Sequence, residues 1–146
     1  MQFDGSAALD AALLASATGT GGILNGAKVG LTKALVDFDP NQPPGQVGTN
    51  ECDYAGYARA AVTWNAPSIS DDGQLEIVGT VPEFRPTDAT VDNNAYQAFL
   101  VDSAGAKYLG SGQLDGNPIP MGTTLDALVV TMRFSVGSGG SVVSVS

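Results

Sequence analysis

Histidine is absent from this chain of 146 residues, and cysteine occurs once, at Cys52. The lack of histidine removes the commonest general base and the commonest metal ligand of proteins. A single cysteine excludes an intrachain disulfide. Cys52 lies between Glu51 and Asp53, and negative charge on both sides disfavours the thiolate that a reactive cysteine needs.

Positive charge is also scarce, with 6 Lys and Arg against 15 Asp and Glu and a net charge of −9. The few cations are scattered along the chain, whereas nucleic-acid binders cluster them to neutralise phosphates. We therefore expect no binding to nucleic acid, and the same argument disfavours anionic membranes. No apolar run reaches the length of about 18 residues that a membrane helix needs, and the start lacks the basic region of a secretory signal.

Carboxylates are the only abundant ionisable groups, and their close pairs, Asp37/Asp39 and Asp71/Asp72, fall in turn-like sequence. A glycosidase needs two carboxylates facing each other across a cleft, but these pairs are more typical of turn caps. Residues 37–41 offer oxygen ligands at alternating positions without the glycine and distal glutamate of a calcium loop, so a bound cation there stays an open alternative. We expect no enzyme activity, no catalytic residues, no cofactor and no metal.

The composition favours short strands joined by turns. Nineteen Gly and eight Pro accompany a hydrophobic fraction of 43% and a charged fraction of 14%, below the usual charged share of roughly 25%. Alternation of apolar residues predicts about six strands at sandwich-like spacing. They cover residues 28–36, 59–64, 74–81, 94–102, 106–114 and 125–136. The fold class is therefore all-β, a β-sandwich or jelly-roll-like fold.

The two ends of the chain differ from this β-rich centre. Residues 4–16 are rich in Ala and Leu behind a capping residue, which predicts one short helix with Leu9 and Leu13 on one face. Residues 1–26 then form a helix and glycine-rich linker, 27–136 the sandwich domain, and 137–146 a flexible tail. Its β-prone part, 141–146, could pair with a sheet edge or with another copy.

Residues 54–67 hold the single tryptophan, Trp64, together with Tyr54 and Tyr57. Trp64 lies on a predicted strand and is expected in the core, whereas Tyr57 could lie in the core or at a sheet rim. Exposed, these aromatics could form a platform for sugars or a partner. We expect Arg59 to pair with a carboxylate such as Asp53.

Several short motifs are spaced between residues 28 and 136, namely at 29–31, 51–67, 72–73, 84–87, 101–105 and 128–134. Together they resemble the pattern of small structural proteins of tailed bacteriophages and their marine relatives. The resemblance implies a virion component, such as a capsid decoration (cement) protein, a head accessory protein or a tail piece. It carries over no catalytic residues.

On this interpretation the protein would sit on the particle surface after synthesis in the host cytoplasm. It would contact the major capsid protein or other virion proteins and its own copies, as a homo-oligomer with a trimer favoured. The alternative is a tail or fibre adhesion module that binds a host glycan or surface protein. The candidate contact residues are Leu9, Leu13, Phe38, Pro43, Pro44, Tyr54 and Tyr57.

Overall fold

The computed structural model describes residues 16, 18–19, 22–38, 44–69, 75–81, 83–87, 93–122, 128–137 and 140–145. The predicted helix over 4–16, with Leu9 and Leu13, lies outside them apart from its last residue. In the described part the strands are β1 (Lys28–Thr32), β2 (Ala60–Ala61), β3 (Thr63–Trp64), β4 (Ser68–Ile69), β5 (Leu75–Thr80), β6 (Asn93–Ala95), β7 (Gln97–Val101), β8 (Tyr108–Gln113), β9 (Ile119–Met121), β10 (Thr131–Gly137) and β11 (Gly140–Val145). A 3-10 segment covers Pro44–Asn50.

The strands form antiparallel sheets. The first, sheet A, has the order β2–β1–β7–β8, and the second, sheet B, has the order β11–β10–β5–β3, with β4 also paired to β5. Strands β6 and β9 make a separate pair. The prediction of an all-β protein is confirmed, while its finer assignment to a sandwich or jelly roll stays a prediction.

One short segment passes from sheet A to sheet B. Ala60 and Ala61 of β2 pair with β1, whereas Thr63 and Trp64 of β3 pair with β5. Between them Val62 donates its N–H to the carbonyl of Ala27 at 3.0 Å. The predicted strand 59–64 is therefore divided, because its two halves belong to different sheets.

The main core joins apolar residues of both sheets in one cluster. Val29, Leu31 and Leu100 come from sheet A, and Ile77 comes from sheet B; all four are fully buried. Val29 and Leu31 alternate along β1 because they face this core, although Gly30 and Thr32 are buried as well.

Sheet A is covered on its other face as well. All five residues of β7 are buried, and Phe99 and Val101 belong to a second apolar cluster with Val47. Phe38 stacks on Tyr108 at 5.3 Å between ring centroids and lies 6.0 Å from Phe99. Phe38 and Val47, which cover this face, belong to residues 33–38 and 44–59, called the covering segment from here on.

The C-terminal residues take one of the two alternatives left open for them. Residues 140–145 form β11 and pair with β10 of the same chain from Met132↔Val145 to Gly137↔Gly140, so the β-prone part of the predicted flexible tail joins a sheet edge. Two further strands, β4 and β9, were not predicted, since each has only two or three residues. The domain boundaries themselves stay predictions.

Candidate functional site

A connected group of polar side chains lies where the covering segment meets β1. Glu51 forms a bridge with Thr32, and the N–H of Cys52 donates to the carbonyl of Leu31 at 2.9 Å. This backbone pairing sets residues 51–52 alongside Leu31 and Thr32 at the end of β1. It holds the Glu51 carboxylate at the sheet, where the side chains of Tyr57 and Arg59 reach it.

Glu51 and Arg59 form a two-point ion pair. The guanidinium donates from Nε and Nη2 to the two Glu51 oxygens at 2.8 and 2.9 Å, with 30% of the Arg59 and 21% of the Glu51 side chain exposed. Burial alone would raise the pKa of Glu51, but the hydrogen bonds from Arg59 and Tyr57 outweigh it and lower that pKa. The hydrogen bond to Glu51 raises the pKa of Arg59 in turn.

Tyr57 connects this pair to the sheet. Its hydroxyl donates to Glu51 Oε1 at 2.7 Å and accepts the backbone N–H of Leu31 at 3.1 Å. Burial, followed by the hydrogen bond to Glu51, raises the pKa of Tyr57. Gly30 makes room for this arrangement, because a Cβ there would lie 2.9 Å from the Tyr57 hydroxyl and 2.7 Å from Cε1 of Phe99.

Arg59 also contacts the aromatic residue beneath the covering segment. Its Cζ lies 5.2 Å from the centroid of the Phe99 ring, within the range of a cation–π interaction. The Arg59 guanidinium therefore makes two contacts, an ion pair with the Glu51 carboxylate and a contact with the Phe99 ring. The contact with Phe99 ties the end of the covering segment to β7 of sheet A, whereas the ion pair joins two residues of that segment.

A second ion pair lies beside the first. It involves Asp53, the carboxylate that was expected to pair with Arg59. Asp53 binds Lys33 at 2.9 Å instead of Arg59, and it accepts Nδ2 of Asn93 at 3.0 Å. The hydrogen bond from Lys33, then that from Asn93, lowers the pKa of Asp53. The Asn93 amide oxygen also accepts the N–H of Asp53 at 2.7 Å, so this contact fixes backbone as well as side chain.

Gln97 holds the other end of the covering segment. It is buried, and its side-chain amide accepts the N–H of Val36 at 2.8 Å and donates to the carbonyl of Val36 at 2.9 Å. Thr32 donates its hydroxyl to the same Gln97 oxygen at 3.2 Å. The one sequence signal of this contact is a glutamine at the start of the otherwise apolar β7, and the contact was not predicted.

A surface cavity of about 820 Å³ opens between these groups. Its lining includes Lys33, Thr49, Glu51, Asp53 and Tyr57. Lys33 and Asp53 are bound to each other, and Glu51 is bound to Arg59 outside the lining, so the cavity presents paired charges and not a convergent binding set. In the described part of the chain no group of three His, Cys, Asp or Glu side chains gathers in a way that could hold a metal ion.

Cys52 and Tyr54 lie at the base of this region. Burial, more than the neighbouring carboxylates, raises the pKa of Cys52 to about 12, which agrees with the expectation of an unreactive thiol and changes its main cause. Tyr54 is 4% exposed, and burial raises its pKa too. Its buried hydroxyl has no hydrogen-bond partner among the described residues.

The other candidate contact residues divide into two groups. Leu9, Leu13 and Pro43 lie outside the described residues, as do Asp39, Asp71 and Asp72. Phe38 is half-buried in the second apolar cluster, and Pro44 begins the 3-10 segment. Their role as partner contacts stays a prediction, as does a cation near the exposed Asp37.

The aromatic stretch lies largely inside the protein. Tyr54 and Tyr57 meet edge to face at 5.3 Å, and Tyr57 stacks on Phe84 at 6.4 Å. The half-buried Trp64 packs against the main core and donates Nε1–H to the carbonyl of Leu24 at 2.7 Å. The sequence expectation of Trp64 in the core thus holds, and Tyr57 takes the core alternative.

Comparison of the chain with protein-family models, with curated proteins and with solved structures gave no match. Among the described residues no helix has the length and apolar character needed to cross a bilayer. The function therefore has to be argued from the contacts above.

Proposed function

We propose that this chain is a virion structural protein, a capsid decoration or head accessory protein that stabilises a particle through contacts with the major capsid protein and with its own copies. The observation that carries the proposal is the set of contacts made by residues 51–67, whose charged and aromatic side chains bind one another and sheet A. The segment that carries the bacteriophage resemblance is therefore architectural.

The covering segment supports the same conclusion. Gln97 of β7 binds its first part at Val36, and its Phe38 and Val47 pack against Phe99 and Val101 of sheet A. The Lys33–Asp53 and Glu51–Arg59 ion pairs join residues within it. A long connection fixed in this way presents a defined outer surface at little cost in ordering when a partner binds. Such a surface suits a protein that works by repeated contacts on a particle.

The adhesion alternative draws less support from these contacts. A glycan platform needs aromatic faces open to solvent. Tyr54 is buried, and the Trp64 indole is engaged with Leu24. An adhesion module would have to use other residues than those the sequence indicated.

Localisation on purified particles tests the proposal. Antibody labelling and electron microscopy should place many copies over the head for a decoration protein. A few copies at one vertex or on the tail would overturn that role in favour of an accessory or adhesion role. Absence from particles would overturn the virion proposal altogether.

Variants at exposed apolar residues would locate the contact surface. Leu35 and Ile69 are 60% and 66% exposed, so aspartate at either site should leave the fold intact. Loss of particle binding by one variant and not by the other would identify the face that meets the capsid. Glu83→Gln, in an exposed ion pair with Arg85, is the matched surface control and should bind as the unaltered protein does.

A further inference from the structure

Asn25 is the one asparagine in the sequence that precedes a glycine, and it lies in the turn before β1. The N–H of Ala27 donates to the carbonyl of Leu24 at 3.2 Å, and Gly26 has a φ of 71°. No non-glycine residue in the described part of the chain has positive φ. A negative φ at the first central residue and a positive φ at the second are the signs of a type II turn.

Two other turns repeat this arrangement. Residues 54–57 close with a 3.0 Å hydrogen bond and have Gly56 at a φ of 88°, and residues 114–117 close at 3.3 Å with Gly116 at 73°. In all three a buried residue comes first and an exposed one second. That exposed residue is Asn25, Ala55 or Asp115, so the same local geometry carries three different side chains.

We propose that Asn25–Gly26 is a site of spontaneous deamidation that converts this turn to an isoaspartyl linkage. The backbone nitrogen of Gly26 attacks Cγ of Asn25, the new C–N bond closes a succinimide, and ammonia leaves with the proton from that nitrogen. Water then opens the ring at either carbonyl and yields an aspartyl or an isoaspartyl residue. The sequence of steps needs only water.

The local structure leaves the reacting atoms accessible. The Asn25 side chain is exposed, and glycine has no Cβ to hinder attack by its nitrogen. The hydrogen bond that closes a β-turn joins its outer residues, so it does not engage the central peptide. The N–H of Gly26 donates to no backbone carbonyl of another described residue.

The conversion would disturb a contact of Trp64, which lies in β3 just after the chain passes from sheet A to sheet B. The carbonyl of Leu24, next to Asn25, accepts both the Ala27 N–H and the Trp64 indole Nε1–H. An isoaspartyl residue inserts one methylene into the backbone between Leu24 and Ala27, so the turn can no longer close in the same way. Trp64 is the only tryptophan, and its emission reports this change.

The experiment is incubation of the folded protein at mildly alkaline pH, followed by peptide mapping and isoaspartyl quantification. Asn25 should convert several-fold faster than every other asparagine, with both isoaspartyl and aspartyl products. The tryptophan emission should change in proportion to the isoaspartyl fraction. Each converted molecule also gains one negative charge, which ion-exchange chromatography separates.

Two variants separate the causes. Asn25→Ala should fold normally, because Ala55 occupies the equivalent position in the turn at residues 54–57. The tryptophan emission of this variant should stay constant during incubation. Freshly prepared Asn25→Asp carries the charge of the product without the extra methylene, and it should keep the emission of the unaltered protein.

Three results would overturn the inference. Conversion of Asn25 in urea but not in the folded protein would show that the native turn blocks the attack. An aspartyl product without isoaspartate would exclude the succinimide. An emission change of equal size in incubated Asn25→Ala would break the link between the turn and Trp64.

Discussion

Replacing Glu51 with glutamine tests whether the Glu51–Arg59–Tyr57 group holds the covering segment on sheet A. The carboxylate accepts three hydrogen bonds of 2.7 to 2.9 Å, two from Arg59 and one from Tyr57. Glutamine keeps the shape and one acceptor oxygen, but it loses the charge and one bond from the guanidinium. The variant therefore removes the ion pair with little change in packing.

The expected loss follows from the partial burial of the pair. A hydrogen bond to a charged group contributes about 1.5–3 kcal/mol when shielded, and an exposed ion pair at most about 1 kcal/mol. With about a quarter of each side chain exposed, Glu51→Gln should lower the free energy of unfolding by about 2 kcal/mol. For a chain of this size that lowers Tm by about 4–8 °C.

Urea denaturation followed by circular dichroism measures this loss, with Glu83→Gln as the control. Glu83 also accepts Nε and Nη2 of an arginine, at 3.0 and 2.6 Å, but its pair with Arg85 is exposed on both sides. The control should lose less than about 0.5 kcal/mol, with an unchanged dependence on urea in both variants. Equal losses in the two variants would refute the assignment of a fixing role to Glu51.

Four further outcomes are expected. Tyr54→Phe should leave the free energy of unfolding unchanged or raise it by up to about 1 kcal/mol, since the buried Tyr54 hydroxyl lacks a partner in the described residues. Tyr57→Phe should lower that free energy by about 1–2 kcal/mol, and urea denaturation measures both variants. The pKa of Glu51 is lowered in the folded protein. Its contribution to the free energy of unfolding is therefore complete above the unfolded pKa of about 4.3 and is lost as pH falls through the folded pKa. Glu51→Gln should accordingly show a smaller loss of stability on acidification than the unaltered protein. Cys52, with a pKa raised to about 12, should react with an alkylating reagent at pH 8 only as fast as the protein opens, and rapid labelling without unfolding would contradict its burial. Gly79→Ala places a Cβ 2.6 Å from the indole ring of the adjacent strand and should cost about 1–3 kcal/mol, with a shifted tryptophan emission; unchanged stability would contradict that close approach.

The deamidation site and the proposed function are independent. Conversion at Asn25 depends on one turn and its link to Trp64, whatever the protein binds. For a component of a long-lived particle, such a change would accumulate with age. The particle experiments and the incubation experiments can therefore fail separately.

Part of the candidate site was within reach of sequence reasoning. The low reactivity of Cys52, the central place of residues 54–67 and the core position of Trp64 all follow from local chemistry and alternation. The choice of Glu51 over Asp53 as the partner of Arg59 does not. Both acids lie near Arg59 in sequence, and only the bridge of Glu51 to Thr32 sets which carboxylate the guanidinium meets.

By itself the sequence determined the all-β class and most strand positions, because alternation with a period of two is a local property. The tertiary structure alone decided that residues 60–64 belong to two sheets, that the segment 140–145 joins sheet B, and that the covering segment buries the second face of β7. These outcomes depend on contacts between distant residues, such as Gln97 with Val36, 61 positions apart, and local pattern does not specify which distant partners meet.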